Sequence, residues 1–261
     1  MGTTNTRDLA RGLKISFPNI SYAFVVGIAG GAPFVHDGKE WKESDIQLGD
    51  LIVSTQVIEY DFGREYENGF RRKPGVEEIL PRAPAEVANF INRMVGGKRR
   101  AFLRILNKTN GDLASFENFD AGNRGDCAHP GPDRDRVYAL GYRHKHREAA
   151  GCAKCAQCTK WYDEQRRTFN KDPPRWYASG NAVMKSGHRW DLLIKEEKVI
   201  GFEMGGAGAW EVFGTIVVKG VVDYADSHED KQWRGYPAAR AVLCAAAMIE
   251  EIELPDMPRV G

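Results

Sequence analysis

The sequence predicts one α/β domain of three layers, in which helices cover both faces of a mixed β-sheet. Short apolar runs rich in β-branched residues alternate with longer segments whose apolar residues have helical spacing. The short runs lack polar alternation, which is typical of strands that are buried on both faces. With 261 residues, 42% of them hydrophobic, the chain can bury one large core.

The first third of the chain predicts a helix over 7–15, strands over 22–26 and 50–54, and a helix over 83–95. The strand over 22–26 is partly β-branched, and the glycines within 27–31 are predicted to end it in a turn. The helix over 83–95 places Val87, Phe90 and Met94 at helical spacing, with a proline at its start and two glycines after its end.

Residues 107–174 are polar and contain all but one of the five cysteines. They predict an irregular insertion that is functional or held by a metal, because long structureless loops are uncommon in compact domains. Regular structure resumes with a strand over 176–179, a helix over 185–197, a strand over 198–202, a short helix from 206 and a strand over 215–221. The alanine-rich segment 237–252 predicts a final helix. Since no boundary or repeat is visible, residues 1–261 are expected to form one domain.

Charge and hydropathy exclude several classes of partner. There are 37 Lys and Arg against 36 Asp and Glu, so no basic field favours nucleic acid or a membrane surface. The longest apolar run contains Arg240 and is too short for a bilayer, and the first residues lack the apolar core of a secretory signal. We therefore expect a cytoplasmic protein with mostly reduced cysteines that binds a small molecule.

Two segments that follow predicted strands contain residues suited to chemistry. In GIAGGAP (27–33), the glycines let the backbone approach an anion or a sugar, although a plain tight turn is an equal alternative. In VVDYADSH (221–228), Asp223, Asp226 and His228 follow the C-terminal end of a buried strand, where α/β sheets bind ligands. An aspartate in an apolar setting keeps its proton and can act as a general acid. Helix capping and surface exposure are the alternatives for Asp226 and His228.

Glu203 follows the preceding predicted strand, so we expect it at a neighbouring strand end. A glutamate there is suited to binding paired hydroxyl groups. The alternative is a buried glutamate that pairs with a lysine or an arginine, in a segment whose glycines allow close packing between helix and sheet.

Five ordered blocks of this sequence resemble the nucleoside phosphorylase and nucleosidase family, and most closely its fungal version. The blocks are GIAGGAP, IQLGDLIVS with EYDFG, YASGNAVMK, GFEMGGAG and VVKGVVDYADSHEDKQW. The resemblance implies a single α/β domain that cleaves the N-glycosidic bond of purine nucleosides with water or phosphate and needs no cofactor. Such cleavage requires an acid at the leaving base and an aligned nucleophile.

The resemblance also implies roles for individual residues. Asp223 matches the acid that protonates the purine, Val183 and Met184 would lie along the base, and Met204 would lie beneath the sugar. The glycine segment, with Gly27, Ala29 and Gly30, matches the place where phosphate or the attacking water is held. Without the resemblance, Val183 and Met184 would more often be plain core residues.

The sequence departs from the family in two places. Relatives read GFEME in the fourth block, and their second glutamate binds the ribose hydroxyls, whereas this chain has Gly205. The family's initial strands, which precede the glycine segment, are also absent from this sequence. Because an open sheet edge exposes backbone donors and apolar surface, we expect a homo-oligomer, a dimer or larger, that covers it.

A cysteine cluster within the polar insertion suggests a metal. Cys152, Cys155 and Cys158 have C-x-x-C-x-x-C spacing and follow His146 closely, so they could form a structural zinc site. Reduced thiols or a local disulfide are the alternatives.

Three functions are compatible with these residues. The first is cleavage of a purine nucleoside or related N-glycoside with Asp223 as the acid. The second is a repurposed fold that performs acid–base chemistry, such as cyclisation, elimination or isomerisation, on a metabolite that is not a nucleoside. The third is a non-catalytic module that senses a ligand.

Overall fold

The computed structural model describes residues 2–20, 22–54, 56–67, 69–73, 85–95, 100–119, 127–138, 158–161, 176–181, 183–185, 187–226 and 228–251. The α-helices in these residues are α1 (Thr3–Ser16), α2 (Ala85–Val95), α3 (Arg100–Phe119), α4 (Gly187–Glu197), α5 (Gly206–Trp210) and α6 (Gly235–Glu251). The strands are β1 (Tyr22–Gly31), β2 (Phe34–His36), β3 (Trp41–Glu43), β4 (Leu51–Ser54), β5 (Val57–Glu59), β6 (Gly63–Tyr66), β7 (Gly69–Arg72), β8 (Arg136–Tyr138), β9 (Cys158–Trp161), β10 (Trp176–Ser179), β11 (Val199–Glu203) and β12 (Gly214–Asp223).

The main sheet is mixed and has six strands in the order β4-β12-β1-β11-β10-β5. Strands β1 and β12 are parallel to each other and pair along nearly their whole length. Strand β11 runs antiparallel to β1, and β10 and β5 continue parallel to β11. Strand β4 is antiparallel to β12 and forms one edge. Three two-stranded sheets, β2-β3, β6-β7 and β8-β9, lie outside the main sheet.

Both faces of the main sheet are buried by helices. On β12, Ile216 and Val218 pack with residues of α2, α3 and α6, while Val217 and Val221 pack with residues of α5. Because side chains alternate between the faces of a strand, this division shows helices on both sides. Each buried Val or Ile contributes about 1.5–3 kcal/mol. The predicted three-layer α/β fold with a mixed sheet is therefore confirmed.

The glycine segment is not a turn. Strand β1 extends through Gly31, and Gly30 and Gly31 pair with Phe202 and Gly201 of β11. A Cβ on Gly31 would lie 2.8 Å from Cγ1 of Val221 and 2.9 Å from Cγ2 of Ile46. The predicted strand end was wrong because these glycines permit close packing rather than a change of chain direction.

The polar insertion is partly regular. Residues 107–119 belong to α3, so the prediction of irregular structure from 107 was wrong there. Helix α3 packs on α6, and its buried Ile105 and Leu113 supply the apolar contacts that the polar composition obscured. A 3-10 turn (Pro132–Arg134) leads into β8, which pairs with β9. None of the helices in the described part of the chain has the length and apolarity that a bilayer span needs.

Candidate functional site

Asp223 is the last residue of β12, and its carboxyl group lies against Gly30 of the neighbouring strand β1. Its backbone pairs with Gly30, where a register shift interrupts the parallel ladder. Oδ1 of Asp223 lies only 2.8 Å from the position that a Cβ on Gly30 would occupy. The same oxygen accepts a hydrogen bond from the backbone N–H of Ala225 (2.8 Å), whose φ of 54° is left-handed. The absence of a side chain at Gly30 therefore makes room for the carboxyl group.

The surroundings of Asp223 favour its protonated form. Burial, helped by the nearby carboxylates of Glu229 and Asp226, raises the pKa of Asp223 to about 6, although the Ala225 N–H and the Lys185 ammonium each lower it. An ordinary aspartate has a pKa near 3.9. A carboxyl group that titrates near pH 6 can donate a proton in neutral solution, as a general acid must.

The residues after Asp223 form a turn held by Asp226. Its Oδ1 accepts the backbone N–H of His228 (2.7 Å), and its Oδ2 lies 3.2 Å from Nδ1 of the same histidine. The ring of His228 stacks on that of Tyr138, with centroids 3.7 Å apart and an interplanar angle of 12°. Tyr138 belongs to β8, so the polar insertion contributes directly to the surroundings of Asp223.

A cleft of about 120 Å³ opens beside Asp223. One wall comes from the segment 133–138 of the insertion and the other from the end of β12 and the following turn. The lining residues are Leu48, Asp133, Arg134, Arg136, Tyr138, Val222, Asp223, Tyr224, His228, Glu229 and Asp230. Several charges in this cleft are already paired, since Arg134 contacts Asp230 (2.6 Å) and Glu229 contacts Lys185 (3.2 Å).

Glu203 does not join Asp223 in the cleft. Strand β1 lies between β11 and β12, so the prediction that the two strands are neighbours was wrong, although Phe202 and Asp223 both pair with Gly30. The side chain of Glu203 is 0% exposed; both of its oxygens accept the N–H of Gly206, and Oε2 lies 3.5 Å from Nζ of Lys219. Glu203 is thus a buried glutamate that pairs with a lysine, as the alternative prediction has it.

Lys219 extends this pair to the glycine segment. It pairs with Gly27 across the β1–β12 ladder, and its Nζ lies 3.5 Å from the position of a Cβ on Gly27. Lys219 precedes Asp223 by four residues on β12, but the register shift of the ladder falls between them, so regular alternation does not relate the directions of the two side chains. A buried cation is therefore placed beside the glycine segment of β1.

Gly205 lies at the start of α5, against α1. A Cβ at this position would be 3.1 Å from Oγ1 of Thr6. That hydroxyl donates to the carbonyl oxygen of Gly2 (3.0 Å), which holds it in place. A longer side chain at 205 would have to pass Thr6, so the first turns of α1 restrict the space beside Gly205.

The other residues that were predicted to contact the substrate differ in how deeply they are buried. Met184 is buried in a core cluster that includes Phe202 and Ala225, next to the segment of Asp223. Val183 is 60% exposed. Ala29 is part of the core between the sheet and α5, and Met204 is half-buried after β11.

Several residues of the site were not anticipated from the sequence. Asp135 and Tyr138 are brought close to the end of β12 by the docking of the insertion, where they contact Tyr224 and His228. Tyr224 was visible as a neighbour of Asp223, but its role depends on Asp135, which lies 89 residues earlier. No local pattern in DRDRVY (133–138) points to this contact.

The predicted zinc ligands are outside what can be described. Cys152, Cys155 and His146 lie outside the described residues, and only the backbone of Cys158 is placed, in β9. Within the described ranges, no group of three or more His, Cys, Asp or Glu side chains is arranged to hold a metal ion. Structural zinc stays a prediction.

Comparisons with known proteins agree with this architecture. No family model matches the chain. A nucleotide-binding leucine-rich repeat (NLR)-like protein of Hyaloscypha variabilis is 29% identical over 257 residues. This match covers 95% of the chain but only 23% of that relative, so the chain spans less than a quarter of the relative's length.

Solved structures of nucleosidases share the fold. The 5′-methylthioadenosine/S-adenosylhomocysteine nucleosidase of Helicobacter pylori has a TM-score of 0.53 at 14% identity, over 97% of this chain and 77% of that one. Futalosine hydrolase of the same organism has a TM-score of 0.54 at 14% identity, with the same coverage. S-adenosylhomocysteine nucleosidase of Streptococcus pyogenes has a TM-score of 0.53 at 12% identity, again over 97% and 77%. The fold implied by the five sequence blocks is thus confirmed, and the chain has the nucleoside phosphorylase/nucleosidase fold.

Proposed function

We propose that this protein cleaves the N-glycosidic bond of a purine nucleoside or a related N-glycoside, with Asp223 as the general acid. The observation that carries this proposal is the placement of Asp223 over Gly30, at a strand end beside an open cleft. Its pKa of about 6 leaves about one carboxyl in ten protonated at pH 7. Protonation of the departing base by this group would neutralise the negative charge that develops as the bond breaks.

The glycine segment of β1 is the proposed place of the nucleophile, which is water or phosphate. The buried ammonium of Lys219 beside Gly27 supports this assignment, because a cation there would favour an anion or a polarised water. Glu203 acts indirectly, by holding Lys219 and the start of α5. No cofactor is needed for such a reaction.

The sugar and the base would be held by fewer contacts than in the resembling family. Val183 is exposed and free to contact a base, and Met184 supports it from the core. Met204 would lie beneath the sugar. His228 lines the cleft, and Asp226 holds the turn that positions this histidine, so the two would act on the base together.

A second candidate function is favoured by one observation. Thr6 of α1 lies against Gly205, where relatives bind the ribose hydroxyls. A pocket reduced in this way would suit acid–base chemistry by Asp223 on a metabolite without a ribose, such as a cyclisation, elimination or isomerisation.

A chromatographic assay for free base separates the candidates. The pure protein is incubated with a panel of purine nucleosides, with and without phosphate, beside Asp223→Asn. Asp37→Asn, on the β2-β3 hairpin, is the matched control, since its exposed carboxylate contacts Lys42. We expect release that is lost in Asp223→Asn and kept in Asp37→Asn; a requirement for phosphate would make the enzyme a phosphorylase. No release at high enzyme concentration would refute the proposal and favour the second candidate.

We also propose that the protein forms a cytoplasmic homo-oligomer. Helix α1 exposes Leu9, Leu13 and Ile15, and Phe17 follows it, also exposed. Such a cluster is costly in water and is typical of contact surfaces. Light scattering of the pure protein should give a mass of at least twice 29.2 kDa; a monomer at all concentrations would contradict this proposal.

A further inference from the structure

We propose that Asp135 is a positioning residue for the acid Asp223 and acts through the hydroxyl group of Tyr224. This inference rests on the proposed function, because it concerns the acid of that reaction. The Tyr224 hydroxyl donates to Oδ1 of Asp135 at 2.7 Å, and the backbone N–H of Leu48 donates to Oδ2 at 3.1 Å. Asp135 is 5% exposed and Tyr224 is 4% exposed. Both carboxylate oxygens therefore have a donor in a site with little water, where hydrogen bonds to charged groups are strong.

The hydrogen bond between Tyr224 and Asp135 affects Asp223 through the backbone. Tyr224 directly follows Asp223, and Ala225 after it has a left-handed conformation and donates its N–H to the Asp223 carboxyl. The dihedral angles of these three residues determine where the carboxyl lies over Gly30. Because the Tyr224 ring is anchored at its far end, the backbone at 224 cannot turn without breaking the bond to Asp135. Asp135 thus limits the positions that are open to the acid.

The anchor comes from a part of the chain that is remote in sequence. Asp135 lies between the 3-10 turn Pro132–Arg134 and β8, and Trp233 donates from Nε1 to the carbonyl oxygen of Arg134 (3.3 Å). The segment is therefore held at two points, by Tyr224 directly after β12 and by Trp233 in the 3-10 turn Lys231–Trp233. A merely structural role would predict that losing the Tyr224 hydroxyl lowers stability without changing the titration of Asp223.

Tyr224→Phe tests the proposal, with Tyr177→Phe as the matched control. Both substitutions remove one buried tyrosine hydroxyl; that of Tyr177 donates to the carbonyl oxygen of Ile52 (3.2 Å) in the core. The first readout is the carboxyl ¹³C NMR titration of Asp223, assigned by Asp223→Asn, which needs no substrate. The groups that act on this titration are Glu229, Asp226 and Lys185, and both variants keep them. The second readout is kcat, KM and the pH profile of base release, with urea unfolding to check folding.

We expect Tyr224→Phe to lower the Asp223 titration midpoint toward that of an ordinary aspartate, because a released carboxyl gains water. It should lower kcat about 10- to 100-fold with little change in KM. Asp135→Asn keeps one oxygen acceptor for Tyr224 but presents an amide to Leu48, so it should act in the same direction with a smaller effect. Tyr177→Phe should leave both readouts at wild-type values.

An unchanged Asp223 titration in a folded Tyr224→Phe protein would overturn the proposal, as would an equal change in Tyr177→Phe. If the wild-type protein cleaves no nucleoside while the titration shifts as expected, the proposed reaction fails and the positioning of Asp223 by Asp135 stands.

Discussion

Replacement of Gly30 by alanine tests whether close packing over β1 places the acid. The new Cβ would lie 2.8 Å from both Cβ of Ala225 and Oδ1 of Asp223, and 3.1 Å from the backbone nitrogen of Ala225. Carbon atoms in contact are normally about 3.5–4.0 Å apart, so the turn after β12 must move by roughly 0.7–1.2 Å. Overpacking of this kind costs about 1–3 kcal/mol. A 1 Å displacement of a catalytic group can lower the rate about 100-fold.

Urea unfolding and the base-release assay measure the two effects separately. Gly12→Ala is the matched control, because a Cβ on this residue of α1 would meet nothing within 4 Å. That control should gain about 0.5–1 kcal/mol from the higher helix propensity of alanine and keep full activity. A Gly30→Ala protein with the wild-type urea midpoint and wild-type turnover would refute the reasoning that the missing side chain makes room for Asp223.

Three further predictions concern the buried charged groups and the restricted space beside Gly205. Burial raises the pKa of Asp135 to about 6, so its protonation stabilises the folded state below about pH 4, and this stabilisation is lost as the pH rises through 6. The free energy of unfolding of the wild type relative to Asp135→Asn should therefore fall by about 2–3 kcal/mol between pH 4 and 7, and a constant difference would contradict the burial argument. Lys219→Met should cost about 3–5 kcal/mol, because Glu203 then stays buried without its cation, and adding Glu203→Gln should recover part of that loss in urea unfolding. Gly205→Glu alone should not increase base release, since Thr6 obstructs the side chain, whereas Gly205→Glu with Thr6→Ala should raise kcat/KM about 100-fold; equal rates for the two variants would count against this steric reasoning.

Elements with strong local signals were predicted well. The alanine-rich helix α6 and the apolar strand β12 were expected from residues that lie within those elements. Their side chains determine both the period of the pattern and the face that is buried. The position of Asp223 at the end of β12 followed directly, because it depends only on where one strand stops.

Features that depend on distant partners were predicted poorly. The glycines of β1 suggest a turn when read alone, and only the strands on either side show that they are paired. Chain order predicts Glu203 at a strand end next to that of Asp223, because the two residues follow successive strands. Strand β1 is inserted between those strands in the sheet, and chain order does not reveal such an insertion.

Local patterns in the sequence were enough to predict the α/β class, most of the elements and the likeness to nucleosidases, since these depend on periodicity and on short ordered motifs. Tertiary structure decided which polar groups meet. In the folded chain Glu203 pairs with Lys219, and Asp135 accepts a hydrogen bond from Tyr224, which lies 89 residues later. The physical reason is that a buried polar group must find a partner, and the partner it finds is set by how strands and loops pack rather than by its neighbours in the chain.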